Sequence, residues 1–239
     1  MKNNNWEYIW NQRVSKTFEN PDGTIPALMK YNGFDSITGT VDKEDWINMV
    51  KSFCKKININ EETKILEIGC GAGAYLYVMK KIKKFIPFGI DYSKSLIEIA
   101  KKHIPDGQFY VSEANKFPKF DCSFEIIFSH SVFHYFPNYE YVNIVLKQCY
   151  ENLTPYGEIY IMDICDKEKE KEYHNERSSS FKTPEEYYSM YENLPHLFIG
   201  KNKLRLTLEM IGFNDIKFFP HFIENYSNSN FRYNVSAKK

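Results

Sequence analysis

Apolar residues follow two different spacings along this chain, and the two spacings alternate. Short apolar or β-branched runs, which are typical of buried strands, occur at residues 63–68, 85–90, 109–112, 126–129 and 158–164. Apolar residues at helical spacing occur at residues 42–56, 74–82, 93–100, 139–152 and 203–211. Two last runs, at 213–219 and 231–235, are separated by a polar turn and are typical of an antiparallel pair. Strands that alternate with helices in this order predict an α/β fold, with a doubly wound, mostly parallel sheet and helices on both faces.

The first strand runs directly into a turn that contains three glycines, Gly69, Gly71 and Gly73. These glycines remove every side chain where the backbone turns, so that a ligand can approach the main chain closely. A helix that begins at Ala74 would direct its free amide groups towards that ligand. A tight turn without any ligand is the simpler interpretation, and a glycine triplet does not exclude it.

Two acidic residues favour the ligand-binding interpretation. Glu67 lies at the end of the first strand, where a carboxylate is costly to bury unless a polar or cationic group meets it. Asp91 ends the second strand about twenty residues after the glycines, which is the position of the ribose-binding acid in nucleotide-binding βαβ units. Strand, glycine turn, helix, strand and acid together predict a cofactor that contains adenosine.

Composition narrows the class of partner. The 239 residues include 31 basic and 31 acidic side chains, so bulk charge supports neither a nucleic-acid partner nor an acidic membrane surface. No run of about eighteen apolar residues occurs, which disfavours a membrane-spanning protein. The five cysteines show no CxxC pair and no spacing typical of a metal site, and we expect reduced thiols in a cytoplasmic protein that holds no metal.

Two segments look like additions to one catalytic domain, which we expect to cover residues 42–239. Residues 1–41 show no sustained period and predict an N-terminal cap or lid. Residues 166–200 begin with a run of alternating lysines and glutamates, which predicts a solvated helix and a mobile loop. Because this insertion follows the carboxyl end of the fifth strand, a substrate lid is a second interpretation.

Five stretches, taken in order, resemble motifs of the class I S-adenosylmethionine-dependent methyltransferases, over roughly residues 42–236. Residues 67–73 are similar to the first motif of that family, and Asp91 is similar to its ribose-binding acid. The segment 111–114 resembles the motif after the third strand, although the family more often has Gly-Asp-Ala where this chain has Ser112, Glu113 and Ala114. Residues 129–137 resemble the motif after the fourth strand, and residues 153–158 resemble the turn before the fifth.

The resemblance implies a Rossmann-like sheet of seven strands whose last pair is antiparallel. It also implies that S-adenosylmethionine is the cofactor and S-adenosylhomocysteine its product. In this family the glycine backbone lies beside the methionine part, Asp91 would accept both ribose hydroxyls, and Tyr92 or Leu96 would cover the adenine. The full set of expected cofactor-binding residues is Glu67, Gly69, Cys70, Gly71, Gly73, Asp91, Tyr92, Leu96, Glu113, Ala114 and Ser129.

Methyl transfer requires alignment of the acceptor and, for a hydroxyl, removal of its proton. We predict that His134 is the base, because it follows the fourth strand at the edge that faces the cofactor and because imidazole titrates near neutral pH. A structural histidine in a helix-entry turn is the alternative. The residues that we expect to contact the acceptor are Arg13, His130, Tyr135, Arg177 and His196.

The sequence therefore predicts an enzyme that methylates a hydroxyl of a small molecule, such as a surface-polysaccharide or capsule precursor or a phosphorylated metabolite. An N-methyltransferase is the nearest alternative. A nucleic-acid methyltransferase is disfavoured because no Asn/Asp-Pro-Pro-Tyr/Phe motif follows the fourth strand. A nicotinamide-dependent oxidoreductase stays open because residues 69, 71 and 74 also fit a relaxed dinucleotide fingerprint, and so does a catalytically silent binding protein. We expect a monomer or a homodimer.

Overall fold

A computed structural model of the chain describes residues 6–13, 24–34, 41–192, 194–221 and 223–239; of residues 7, 11–13 and 190 it describes the backbone alone. The described residues form a seven-stranded sheet in the order β3-β2-β1-β4-β5-β7-β6. Its strands are β1 (Lys64–Ile68), β2 (Ile86–Asp91), β3 (Gln108–Val111), β4 (Phe124–His130), β5 (Leu153–Cys165), β6 (Asn214–Pro220) and β7 (Arg232–Lys238).

Strand direction in the sheet matches the predicted fold. Strands β1 to β5 pair in parallel, and β7 pairs antiparallel with both β5 and β6. Strand order reverses between β1 and β4, which both lie in the middle of the sheet. In open α/β sheets a ligand binds at such a reversal, outside the carboxyl ends of the strands. The glycine turn therefore begins at the position where this topology favours a ligand.

Helices cover the sheet, and one of them begins at an aspartate that caps it. The described α-helices are α1 (Trp6–Arg13), α2 (Ile25–Tyr31), α3 (Lys43–Lys56), α4 (Ala74–Ile82), α5 (Lys94–His103), α6 (Tyr139–Asn152), α7 (Glu170–Ser178), α8 (Pro184–Tyr191) and α9 (Lys201–Ile211). Asp42 caps α3 by accepting a hydrogen bond from the amide of Glu44. In the described part of the chain, no helix combines the length and the apolar character needed to cross a bilayer.

Alternating strand residues build a separate core on each face of the sheet. Ile65 belongs to the core that the first helices cover, together with Phe128. Its neighbour Leu66 belongs to the opposite core, which α6 and α9 cover, together with Leu146. Consecutive strand side chains point to opposite faces, so a strand covered on both faces must be apolar at nearly every position. This requirement explains the continuous apolar runs in the sequence.

The insertion after β5 differs from the prediction of a solvated helix and a loop. Its charge run forms a short 3₁₀ turn that leads into α7, and α8 follows. Tyr173, Arg177 and Tyr187 are buried there. The guanidinium of Arg177 donates hydrogen bonds to the hydroxyls of Tyr173 and Tyr191. Residues 173 and 177 are four positions apart and lie on one side of α7, whereas Asn175 and Glu176, between them, are exposed on the outer side.

Helix α9 offers a matched pair of leucines for testing this packing. Leu204 is fully buried, whereas the Leu206 side chain is 60% exposed. We expect Leu204→Ala to lower the free energy of unfolding by about 2–5 kcal/mol, because it leaves a cavity under the helix. Leu206→Ala should change it by less than about 0.5 kcal/mol. Urea unfolding of both variants measures this, and equal effects would contradict the assignment of the buried face.

Candidate active site

The glycine turn after β1 has a backbone that only glycine adopts readily. Gly69, Gly71 and Gly73 have φ angles of +68°, +54° and +79°. A Cβ atom on Gly69 would lie 2.4 Å from a methyl group of Val132, so alanine is excluded there by contact as well as by conformation. The amide of Gly69 donates to the carbonyl of Ile90 over 2.8 Å. The turn is therefore anchored to the end of β2.

Asp91 joins the two halves of this βαβ unit. Its carboxylate accepts hydrogen bonds from the amide of Gly71 over 2.9 Å and from the amide of Ser93 over 2.8 Å. Each carboxylate oxygen thus has one backbone partner and keeps a second acceptor site. Burial raises the pKa of Asp91 to about 6, against the opposing effect of the two amide bonds. The group is therefore mostly ionised at neutral pH and becomes protonated in mild acid.

Glu67 is a buried carboxyl group without a complete set of partners. Its side chain lines the cavity described below, and its Oε2 atom accepts no hydrogen bond from the described residues. Burial, and then the negative charge of Asp91, raises the pKa of Glu67 well above its ordinary value. An unsatisfied buried carboxyl is costly, which indicates that a ligand group meets it.

Asn32 is a part of the site that the sequence did not reveal. This residue caps the end of α2, and its side chain spans the glycine turn. Its amide nitrogen donates to the carbonyl of Cys70 over 3.1 Å, and its carbonyl oxygen accepts from the amide of Ala72 over 2.8 Å. The sequence presents Asn32 and Gly33 as an ordinary turn pair about 40 positions upstream, so no local signal connects them with the glycines.

A cavity of about 210 Å³ lies against these elements. Its polar and small lining residues are Asn32, Glu67, Gly69, Gly71, Asp91, Ser112, Glu113, Ala114, His130 and Ser131. The apolar and aromatic residues that line it are Trp6, Trp10, Phe34, Trp46, Tyr75, Ile90, Tyr92, Leu96, Val132, Tyr135, Phe136, Pro137 and Tyr141. The lining residues that the structure describes include no lysine or arginine.

The two segments added to the domain meet at one side of this cavity. The indole of Trp6 stacks on His196 with ring centres 5.3 Å apart, and its nitrogen donates to the carbonyl of Pro195 over 3.1 Å. Trp6 and Trp10 also pack edge-on against Tyr135, at 4.7 Å and 5.6 Å. Helix α1 and the end of the insertion are thus joined above the ring of Tyr135.

Most of the residues predicted to bind a cofactor line the cavity, and the exceptions lie just behind it. Cys70 is buried beneath the turn, and Gly73 caps α4. The hydroxyl of Ser129 donates to the carbonyl of Ile68 over 3.0 Å and thereby ties β4 to β1. Glu113 accepts a hydrogen bond from the hydroxyl of Tyr141 over 3.2 Å.

The predicted acceptor residues are more scattered. His130 and Tyr135 line the cavity. His196 lies beneath Trp6 with its Nδ1 atom 3.0 Å from the hydroxyl of Tyr173, and Arg177 is held inside the insertion by two tyrosines. Arg13 ends α1, and its side chain lies outside the described residues.

His134 is buried and does not line the cavity, whereas the next residue, Tyr135, does. The two rings pack together with centres 4.1 Å apart. Burial, and then the charge of Arg232, lowers the pKa of His134 well below its ordinary value. The structure therefore gives His134 a neutral ring behind Tyr135, and its role as a base stays a prediction.

A buried polar cluster lies beside the cavity where β4 ends. The hydroxyl of Ser131 donates to Asp163 on β5, and His130 Nδ1 lies 3.2 Å from the same hydroxyl oxygen. On the other side of Asp163, its Oδ1 atom lies 3.6 Å from Arg232 Nε and 3.7 Å from His221 Nε2. The signal for this cluster was a single aspartate within the apolar run of β5, since a buried charge requires partners.

A family described as a methyltransferase domain matches residues 59–207 of the chain. This stretch includes the glycine turn, Asp91 and the polar residues that follow β4. It also includes the segments that resembled methyltransferase motifs in the sequence.

Two curated relatives each match more than half of the chain. The chain is 29% identical to phosphoethanolamine N-methyltransferase of Plasmodium falciparum over 153 residues, and this match covers 59% of the chain and 56% of that protein. It is 29% identical over 143 residues to demethylmenaquinone methyltransferase of Thermotoga maritima, with coverage of 55% and 59%. The chain therefore spans somewhat more than half the length of these relatives.

Among solved structures, magnesium protoporphyrin IX methyltransferase from Synechocystis PCC 6803, with bound S-adenosylhomocysteine, is similar over 98% of this chain and 94% of its own. The TM-score is 0.59 and the sequence identity is 10%. At this identity the likeness shows the fold alone.

The hydrogen bonds of Asn32 lead to a first prediction for the site. Asn32→Ala leaves the carbonyl of Cys70 and the amide of Ala72 without their partner, and we expect the free energy of unfolding to fall by about 1–3 kcal/mol. Asn175→Ala, on the exposed side of α7, is the control and should change it by less than about 0.5 kcal/mol. Chemical denaturation measures both. An unchanged free energy of unfolding in Asn32→Ala would contradict the role of these two hydrogen bonds in holding the turn.

Proposed function

The chain belongs to the class I S-adenosylmethionine-dependent methyltransferases, and we propose that it transfers the cofactor's methyl group to a hydroxyl group of a small molecule. One observation carries this proposal. Glu67, Asp91 and the glycine turn, which sequence reasoning connected with the cofactor, line one cavity together with the aromatic residues that follow β4. Cofactor and acceptor must share a cavity if a methyl group is to pass between them.

The chemistry of the cavity wall fits S-adenosylmethionine. Asp91 keeps one acceptor site on each oxygen, which suits the two ribose hydroxyls. The unsatisfied oxygen of Glu67 suits a positively charged group, and Glu113 adds a third carboxyl group to the lining. When bound, the cofactor supplies an electrophilic methyl carbon attached to positively charged sulfur.

The remaining wall favours a neutral acceptor. Aromatic rings make up much of it, and the described lining residues include no lysine or arginine to bind a phosphate. Arg177 is engaged by Tyr173 and Tyr191 and does not line the cavity. A hydroxyl on an uncharged, partly apolar molecule, such as a sugar or a phenol, suits this wall better than a phosphorylated metabolite does.

N-methylation is the second candidate. A cavity lined by carboxyl groups and aromatic rings also suits an amine, because both attract a cation. The likeness to a phosphoethanolamine N-methyltransferase adds support for an amine acceptor.

We also propose that residues 1–41 and 166–200 cover the acceptor. The support is the contact between Trp6 and the His196 ring, which joins the two segments over Tyr135. Such a cover would exclude water from the methyl-transfer step.

Calorimetric binding on the purified chain tests the cofactor. We expect S-adenosylmethionine and S-adenosylhomocysteine to bind, and NAD and NADP not to bind. Asp91→Ala should weaken S-adenosylhomocysteine binding by about tenfold to hundredfold, the effect of losing hydrogen bonds to a charged group. Asp121→Ala, which removes an exposed carboxylate outside the cavity, is the control. Binding of NAD alone, or of no nucleotide, would overturn the proposal.

The raised pKa of Asp91 predicts how this affinity depends on pH. The ribose hydroxyls donate to a carboxylate, so affinity for S-adenosylhomocysteine should fall as pH decreases through about 6. The free energy of unfolding of the ligand-free protein should change in the opposite direction. Because the pKa of Asp91 is raised in the folded state, this group contributes stability in acid, and that contribution is lost as pH rises through about 6. Asp91→Asn should remove both dependences, as calorimetry and thermal unfolding across this pH range can measure.

A screen with methyl-labelled S-adenosylmethionine tests the acceptor class. We expect labelled product from alcohols or phenols, with the methyl group on oxygen when the product is analysed by mass spectrometry. Label on nitrogen, from amines alone, would replace the hydroxyl proposal by its second candidate.

A further inference from the structure

Three residues form a continuous chain of hydrogen-bonding groups from the interior of the sheet to the cavity. Asp163 lies on β5, Ser131 follows β4, and His130 is the last residue of β4. The Ser131 hydroxyl contacts both the carboxylate of Asp163 and Nδ1 of His130. Ser131 and His130 line the cavity, whereas Asp163 is buried behind them. We refer to these three residues as the β4–β5 relay.

The charge on Asp163 sets the direction of each hydrogen bond in the relay. Burial opposes ionisation, but the positive charge of Arg232 and the hydrogen bond from Ser131 help to hold the pKa of Asp163 below its ordinary value. A carboxylate only accepts, so the single hydroxyl proton of Ser131 points to Asp163. The Ser131 oxygen must then accept from His130, which places the imidazole proton on Nδ1. The remaining nitrogen, Nε2, carries a lone pair.

That lone pair has no partner among the residues that the structure describes. His130 is 6% exposed, and its Nε2 atom has neither a hydrogen bond to the described residues nor contact with solvent. Phe34, Trp46 and Tyr75 pack around the ring at centre-to-centre distances of 5.2–5.8 Å. These aromatic rings do not donate a hydrogen bond to the lone pair, and a buried polar atom without a partner requires explanation.

Backbone strain coincides with the relay. Ser131 and Asp163 have φ angles of +58° and +60°, which residues other than glycine rarely adopt. The pairing of β5 with β7 is also irregular between Ile161 and Ile164, on either side of Asp163. Strained backbone of this kind persists where surrounding structure enforces it, and it clusters at functional sites.

We propose that His130, held in one tautomer by Ser131 and Asp163, is the group that accepts the acceptor's proton during methyl transfer. This inference rests on the proposed function. As the acceptor oxygen bonds to the methyl carbon, the carbon–sulfur bond breaks with its electron pair on sulfur, and the hydroxyl proton passes to the lone pair of Nε2. His130 then carries protons on both nitrogens, and its positive charge is stabilised through Ser131 by Asp163. Once the product has left, the Nε2 proton passes to water that enters the cavity.

The electrostatic setting suits a base that is free of its proton at rest. Burial is the main cause that lowers the pKa of His130 to about 3, with Asp163 opposing and His221 and Arg232 adding to the effect. The ring is therefore neutral throughout the physiological range. A methylated hydroxyl that still carries its proton is a much stronger acid than imidazolium, so even this weak base can take that proton.

The tautomer can be measured on the free protein, without cofactor or acceptor. In the full chain labelled with ¹⁵N-histidine, nitrogen shifts at pH 7 should show His130 neutral and protonated on Nδ1, with its signals identified by their loss in His130→Gln. Ser131→Ala should move the proton towards Nε2 and leave His103, at the end of α5, unchanged. A wild-type proton on Nε2, or an unchanged tautomer in Ser131→Ala, overturns the relay.

Kinetics with an acceptor from the labelling screen test the role in catalysis. His130→Gln should lower kcat by about 10²- to 10⁴-fold, the usual contribution of a general base, with S-adenosylhomocysteine affinity within about twofold of wild type. Ser131→Ala should lower kcat less, and His103→Gln should leave it unchanged. Full activity of His130→Gln, or a loss confined to His134→Gln, overturns the assignment. A wild-type chain that binds no S-adenosylhomocysteine overturns the proposed function as well, and calorimetry distinguishes the two failures.

Discussion

The hydrogen bond between the Asp91 carboxylate and the Gly71 amide is the contact on which the site depends. It connects the end of β2 to the turn after β1 and so fixes a left-handed backbone that would otherwise be free to change. Asn32 secures the same turn from the opposite side. Because the turn is held before any ligand arrives, the protein does not have to order this loop at the moment of binding.

Much of this architecture could be predicted, because its signals are local in sequence. The spacing of apolar residues distinguishes strands from helices. Helix α6, for example, begins and ends at the predicted residues, Tyr139 and Asn152. Asp91 follows the glycine turn within one βαβ unit, so spacing alone suggested that it lies beside the turn. The antiparallel last pair was expected from two apolar runs separated by a polar turn and from the family resemblance. The order of the strands across the sheet was not predicted, since periodicity does not determine it.

Long-range partnerships were beyond sequence reasoning. Asn32 reaches a turn 40 residues away, and Asp163 lies beside Arg232 on a strand nearly 70 residues later. Such pairs are set by how elements pack, and one sequence carries no record of that packing. In the insertion, the alternating charges predict a solvated helix and give no indication that Tyr173 and Arg177 are buried. Their spacing of four places them on the inner side of α7. The sequence predicts His134 as the base from its position after β4 and from the titration of imidazole near neutral pH, whereas the direction of a side chain in a 3₁₀ turn depends on its packing.

The chain contains three tryptophans, and Trp6, Trp10 and Trp46 all line the cavity. They come from different helices, α1 and α3, yet all three line the same cavity. Indole emission responds to the polarity around the ring, and here all of it originates at the cavity wall. The tryptophan fluorescence of this protein is therefore an optical reporter of one location, and a ligand that enters the cavity changes the surroundings of all three indoles at once.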